Sequence, residues 1–360
     1  MIASFPARQQ VTGLVKRRRL NKGQQRRVSA NQKKRLKNTD IEWTDNQLNA
    51  PEAGRVISRF GQHADIRDAE GNTYRCHIRR VVDSLVCGDS VLWSRASAEQ
   101  QGMQGVVVAV QERHSLLSRP DYYDGLKPVA ANIDQIFVIS SVLPSFSSQI
   151  IDRYLVACED IGIEPVIVLN KADLLPEIDE TERQYIEQRL KDYESIGYKV
   201  LRVSSATQSG LDALQEMLKD HISIVVGQSG VGKSSLVNQL LPDVNADTNL
   251  VSDNSGLGQH TTTVATWYDL KEGGALIDSP GIREFSLWHL EPERVARCYV
   301  DFRDYLGGCK FRDCKHGDDP GCALQEAVGN NQLHEWRLSN YHRIIETMKT
   351  QKPSRAIRGK

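Results

Sequence analysis

No apolar run in this 360-residue chain approaches the ~20 residues needed to cross a bilayer. The first residues also lack the apolar core of a secretory signal. A helical membrane protein is thereby excluded, no membrane partner is expected, and the chain is read as cytoplasmic. Aromatic residues are scarce at 6%, while apolar and charged fractions of 39% and 26% are ordinary for a globular protein. Seven cysteines do not make a disulfide framework in a chain of this length. Three of them fall between Cys309 and Cys322 beside a histidine, a metal-like grouping that suits a reducing compartment.

Acid is missing altogether from residues 1–39. That stretch carries Arg8, Lys16, Arg17, Arg18, Arg19, Lys22, Arg26, Arg27, Lys33, Lys34, Arg35 and Lys37. A formal net charge of zero therefore hides a basic tail on a net-negative body. So few apolar residues cannot offset the entropy of ordering the tail, and disorder is expected. Such a run suits a phosphate backbone, whose condensed counterions it would release; a solvated tail that aids solubility and an Arg-rich transit peptide are the alternatives.

What is present divides into segments, as the length implies. Gly54–Phe60, His63–Arg67, Thr73–Ile78, Ser90–Trp93 and Gly105–Val110 read as short strands with a turn at Glu70-Gly71-Asn72. Five strands in so short a span predict an OB-fold barrel, which either binds RNA or serves as a plain interaction module. From about residue 130, the apolar runs Gln135–Ile139, Pro165–Leu169, Lys199–Val203, Ile222–Val226 and Ala275–Ile277 alternate with helical stretches such as Glu182–Tyr193 and Leu211–His221. That alternation predicts a mainly parallel α/β sheet. The end of the chain reads as helical over Leu333–Met348.

Chemistry enters at Gly227, Gln228, Ser229, Gly230, Val231, Gly232, Lys233 and Ser234, which follow the strand Ile222–Val226 and precede the helical stretch Ser235–Leu241. This is a P-loop: glycines let successive N–H groups face phosphates at a helix N-terminus. Lys233 is expected on the β- and γ-phosphates and the Ser234 hydroxyl on Mg2+. Asn170-Lys171-Ala172-Asp173 follows directly on a buried strand, where open α/β sheets bind ligands. The Asp173 carboxylate can accept from guanine's N1–H and amine. Adenine offers no such pair and would leave a charge unmatched, so the base is guanine. Asn170 supports the loop, the Lys171 stem covers the ring, and Ser204, Ser205 and Ala206 form the loop whose backbone N–H meets the guanine carbonyl. Asp278-Ser-Pro-Gly281 supplies the last anchor: Asp278 reaches Mg2+ through water, and the Gly281 N–H meets the γ-phosphate. Thr261, Thr262 and Thr263, within Gly258–Thr263, offer a hydroxyl to complete the Mg2+ shell, without the sequence saying which.

Cys309-x4-Cys314-x-His316-x5-Cys322 supplies three thiolates and an imidazole, a set that suits a closed tetrahedral Zn2+ site. Lys310, Arg312 and Lys315 surround the ligands and would face an anionic surface.

The motif order is unusual, because the base-reading segments precede the P-loop. With a barrel before and a Cys/His cluster after, the chain from about residue 50 to about 345 resembles the ribosome small-subunit-dependent GTPases, the RsgA or YjeQ family. The resemblance implies a circularly permuted P-loop GTPase domain at 119–290. It is preceded by the tail at 1–45 and an OB-fold barrel at 46–118, and followed by a zinc-binding helical domain at 291–360. It also implies GTP hydrolysis stimulated by the small ribosomal subunit, contact with rRNA, and release on hydrolysis as a maturation checkpoint. Nothing in the sequence demands a dimer, and a monomer is expected. Ras-like enzymes carry a water-orienting glutamine where Ile282 stands here. His260 is the candidate to orient water instead, in keeping with the matching histidine in the family. A nucleotide-gated RNA switch with negligible turnover is the alternative that Ile282 leaves open. Because Asp278–Glu284 leads almost directly into the C-terminal segment, movement there is expected to reposition that segment.

Overall fold

The computed structural model describes residues 47–82, 84–121, 125–241, 265–278 and 287–351. The basic tail, Gly258–Thr263 with His260, and the residues just after Asp278, including Gly281, lie outside the described residues.

Five strands, β1 (Glu52–Phe60), β2 (His63–Arg67), β3 (Thr73–Ile78), β4 (Ser90–Gln100) and β5 (Met103–Val110), close a barrel in the order β1-β2-β3-β5-β4. All neighbours are antiparallel except β3 and β5, which run parallel. Alternation drives the closure: in β2, Ala64 and Ile66 face inward between partly exposed neighbours. They pack with Val56, Cys76, Val91 and Val107 around the buried indole of Trp93. The turn after β2 is fixed by Asp68, whose Oδ1 accepts from the N–H groups of Glu70 (3.0 Å) and Asn72 (2.8 Å). β4 runs beyond its apolar start because its polar second half pairs back on β5 up to Gln100–Met103.

A hairpin of β6 (Leu116–Asp121) and β7 (Gly125–Ala131) follows. The sequence offered no sign of it, since Pro120 and Pro128 interrupt both strands and neither alternates cleanly.

The second sheet holds β8 (Gln135–Ser141), β9 (Glu164–Asn170), β10 (Lys199–Arg202), β11 (Ile222–Gly227), β12 (Thr266–Asp269) and β13 (Ala275–Asp278). Its order is β10-β9-β8-β11-β13-β12, parallel except for the edge strand β12. β8 is buried along its whole length, as a strand covered on both faces must be. One face packs on α1 (Ser148–Ile161) and α2 (Glu180–Ile196) through Ile136, Val138, Ile167 and Leu169. The other meets α3 (Leu211–Leu218) and α4 (Lys233–Leu240) through Phe137, Ile139, Val166 and Leu276.

Past residue 287 come α5 (Pro292–Cys298), a 3-10 turn at Val300–Tyr305, α6 (Ala323–Gly329) and α7 (Glu335–Gln351). Val295, Tyr299, Phe302, Leu338 and Tyr341 from this region join the same apolar cluster as α1. At its centre Arg337, only 1% exposed, bonds to Asp152 on α1 and, at 2.8 and 3.0 Å, to Asp301. Its guanidinium lies 4.3 Å from the Tyr299 ring centroid. Asp152 also accepts from the Tyr193 hydroxyl (2.6 Å) and the Asn340 amide (2.8 Å). The C-terminal region is thus joined to α1 by a shared core and a buried ion pair, a far broader attachment than its short sequence link to Asp278 suggested. Truncating Arg337 leaves the Asp152 carboxylate buried without its cation. Arg337→Ala is expected to cost about 3–5 kcal/mol, read as a lower denaturant midpoint at an unchanged slope.

Candidate functional site

The glycines of the P-loop have steric reasons to be there. A side chain at Gly227 would meet the Ile139 carbonyl oxygen at 2.3 Å. One at Gly232 (φ +88°) would lie 2.4 Å from the Asn170 amide nitrogen. The loop therefore lies tightly on β8 and on the base-reading segment, and α4 starts at Lys233 with no side-chain cap on its first turn. Uncapped N–H groups at a helix start form a site for anions. Lys233 donates to the Gln228 carbonyl, arching over the loop. Ser234 and Ser235 occupy the first turn of α4.

Asn170 ends β9 and is fully buried. Its amide donates to the Val231 carbonyl at 2.9 Å, while its Oδ1 accepts from the Ser205 N–H at 3.2 Å. One side chain thus ties the P-loop to the loop of Ser204, Ser205 and Ala206. Lys171 adopts φ 58°, and its ammonium donates to the carbonyls of Gly230 (2.8 Å) and Leu143 (2.6 Å). The Ala172 N–H donates to Val203 at 3.0 Å, and the Ser204 hydroxyl accepts from the Thr207 N–H at 3.0 Å. Asp173 Oδ1 is buried with no hydrogen-bond partner among the described residues. An orphaned acceptor is costly unless a donor arrives from outside, and an N–H edge such as guanine's fits it.

Asp278 closes β13, which pairs in parallel with the P-loop strand and places Ile277 opposite Ile224. Ser234, in the first turn of α4, and Asp278, at the end of β13, offer hard oxygen donors, the kind Mg2+ takes. The structure thus brings the base loops, the P-loop and Asp278 to one end of the sheet. His260, Thr261, Thr262, Thr263 and Gly281 fall outside the described residues. Sequence reasoning missed Leu143, which gives Lys171 its second acceptor, and Pro144, whose ring lies 3.5 Å from where a Gly230 side chain would start. The only available signal was that the pair follows β8, the strand beside the P-loop.

The cysteine spacing closes into a cluster. The donor atoms of Cys309, Cys314, His316 and Cys322 all lie within 4.8 Å of one another. His316 Nδ1 is 3.5, 3.7 and 3.6 Å from the three sulfurs. A tetrahedral Zn2+ with ordinary Zn–S and Zn–N bonds sets that edge at about 3.6 Å, so the four residues fit the ion. Burial lowers the His316 pKa, favouring the neutral imidazole that a metal needs. The Ala323 N–H points at Cys309 Sγ (3.4 Å), and His342 Nε2 lies 2.7 Å from the His316 carbonyl. Four protein donors around one ion would leave no position open, the arrangement of a structural rather than a catalytic site. Beside it Phe311 is exposed, with the Lys310 ammonium 5.5 Å from its ring centroid.

Together these features define a guanine-nucleotide P-loop site assembled in permuted order, with a Cys3His centre at its C-terminal side. The RsgA GTPase family model matches residues 110–288. The chain is 57% identical over 347 residues to small ribosomal subunit biogenesis GTPase RsgA 1 of Vibrio parahaemolyticus, covering 95% of this chain and 97% of the relative. It is 56% identical over 346 residues to the RsgA protein of Photorhabdus laumondii, covering 94% and 97%. Among solved structures, YjeQ from Thermotoga maritima superposes with a TM-score of 0.67 at 31% identity, covering 84% of this chain and all of that one. YloQ, described as a circularly permuted GTPase, gives 0.65 at 27% identity over 87% of this chain and all of its own. The chain belongs to the RsgA GTPase family, and its reaction is the hydrolysis of GTP to GDP and phosphate.

Asp173→Asn replaces an acceptor oxygen with a donor that repels the guanine amine. GTP affinity is expected to fall at least about 100-fold while xanthosine triphosphate, with a carbonyl in place of that amine, gains; titration with both nucleotides checks this. Elemental analysis is expected to find one zinc per chain, and Cys322→Ser to lose it together with thermal stability of the C-terminal region.

Proposed function

We propose that this GTPase acts in maturation of the small ribosomal subunit, docking in its GTP form, being stimulated by the subunit and leaving after hydrolysis. The observation that carries this reading is near-full-length likeness to relatives named as small ribosomal subunit biogenesis GTPases. The permuted domain takes residues 119–290, between the tail at 1–45 with a barrel at 46–118 and a zinc-binding domain at 291–360. The barrel's closed order and its parallel β3–β5 pair fit an OB-fold, a module suited to structured RNA. The tail and the cations Lys310, Arg312 and Lys315 add phosphate-binding charge. No described helix is long and apolar enough to span a membrane. We take the protein to work in the cytoplasm as a monomer.

In this reading Asn170, Lys171, Asp173 and Ser204–Ala206 hold the base. The backbone from Gly227 to Ser235 cradles the phosphates, with Lys233 on the β- and γ-oxygens. Ser234, Asp278 through water and one of Thr261–Thr263 hold Mg2+, which when bound neutralises charge on the transferred phosphoryl group. The Gly281 N–H meets the γ-phosphate and His260 orients the attacking water. Ile282 cannot hydrogen-bond to water, so intrinsic turnover is slow and a partner completes the site. Hydrolysis measured with and without isolated small subunits is expected to rise strongly with them and little with large subunits. In the same assay His260→Ala is expected to lower stimulated kcat about 100-fold with GTP affinity unchanged. Absence of stimulation by small subunits would overturn the reading.

A further inference from the structure

We infer that the barrel influences nucleotide turnover through the edge strand β12, and that Arg67 on β2 is a positioning residue for Asp278. β12 is four residues long and lies between two partners. On one side it pairs antiparallel with β13, setting Thr266 opposite Asp278 and Asp269 opposite Ala275. On the other it packs against β1 of the barrel. Ala265 and Trp267 belong to the same apolar cluster as Ile57 on β1 and Cys87. Arg67 forms an ion pair with Asp269, and the Arg55 guanidinium stands 5.5 Å from the centroid of Trp267. The Trp267 indole N–H donates to Asp269 Oδ1 at 2.8 Å, so the two β12 side chains hold each other in place.

The barrel surface at this point is complemented by β12. Arg55 and Arg67 are direct cross-strand partners in the β1–β2 ladder. Like charges in that relation destabilise a sheet, and burial lowers the pKa of both, disfavouring their charged forms further. Asp269 supplies the anion and Trp267 the π-face that offset this repulsion. Arg55 is further steadied by the Gly88 carbonyl at 2.9 Å and by the nearby carboxylates of Asp89 and Asp134. Elsewhere the barrel is tied to the link between β7 and β8, where the Asn132 amide donates to the Gly88 carbonyl at 2.9 Å. Along the chain, Thr263 lies three residues before Thr266. A load on β1 and β2 thus falls on a short strand whose far side fixes the register of Asp278.

This inference rests on subunit-stimulated hydrolysis, so its test carries one readout that needs no subunit. Hydrogen exchange of the full chain with GDP or a non-hydrolysable GTP analogue is compared for wild type, Arg67→Asp, Asp269→Arg and the double exchange. The expected result is a nucleotide-dependent change in the amides of β1 and β2, lost in each single variant and restored in the double. Stimulated kcat is expected to fall about tenfold or more in the single variants, at unchanged KM for GTP, and to recover in the double. A wild type whose β1 and β2 exchange ignores the nucleotide overturns the inference. So does a double variant of wild-type melting temperature that fails to recover. If small subunits do not stimulate the wild type, the proposed function fails while the exchange data still decide the coupling.

Discussion

The contact on which most of the molecule depends is the buried ion pair of Arg337 and Asp152. A guanidinium taken out of water is tolerated only with a full set of partners. Here they come from three elements: Asp152 on α1, Asp301 in the 3-10 turn and the Tyr299 ring. Near it, Asp192 on α2, itself buried, accepts from the Trp336 indole at 2.9 Å and from Arg189 at 3.0 Å. At the rim, Arg303 reaches Glu159 at 2.7 Å and Arg294 reaches Asp160. Rim pairs of this kind contribute little singly; the buried pair fixes one arrangement of α7 on α1. Rotating the C-terminal region as a body would strand charges on both sides.

The two flanks of the nucleotide domain are therefore attached in different ways. The side that carries the Cys3His cluster is fused to the helices that cover β8 and β9. The barrel side touches β12, next to the strand that ends in Asp278. One flank rests on the helices that cover the middle of the sheet and the other on a four-residue strand at its edge, a part of the sheet that opens more readily.

Much of this was legible in the sequence, and what was not has a common cause. The strands β2 and β3 begin and end where the short runs between turn residues placed them, and in β2 every second residue is buried. Asn170–Asp173 and Gly227–Ser234 were readable because phosphates and guanine demand particular atoms at particular spacings. The cysteine cluster was readable for the same reason. Features made by long-range contact left no such mark. Arg337 looks like any helical surface arginine until Asp152, far away in sequence, is set beside it. β12 is too short to show a period, and Leu143 contributes only a backbone carbonyl, which every residue possesses. The glycine at 232 fell between these cases: the motif asked for it, but the Asn170 amide pressed against it was visible only in three dimensions.

The place of Arg337 near the end of the chain has a consequence for biosynthesis. Asn170–Asp173, the P-loop and Asp278 all emerge from the ribosome before it does. Until α7 is made, Asp152 sits in a half-built core, and of its described hydrogen-bond partners only Tyr193 is yet in place. A chain interrupted before α7 would carry every nucleotide motif yet keep an unneutralised acid beneath its surface, an opening through which proteases can distinguish unfinished copies from complete ones. The nucleotide motifs precede α7 along the chain, and α7 acts as the seal on a domain already written.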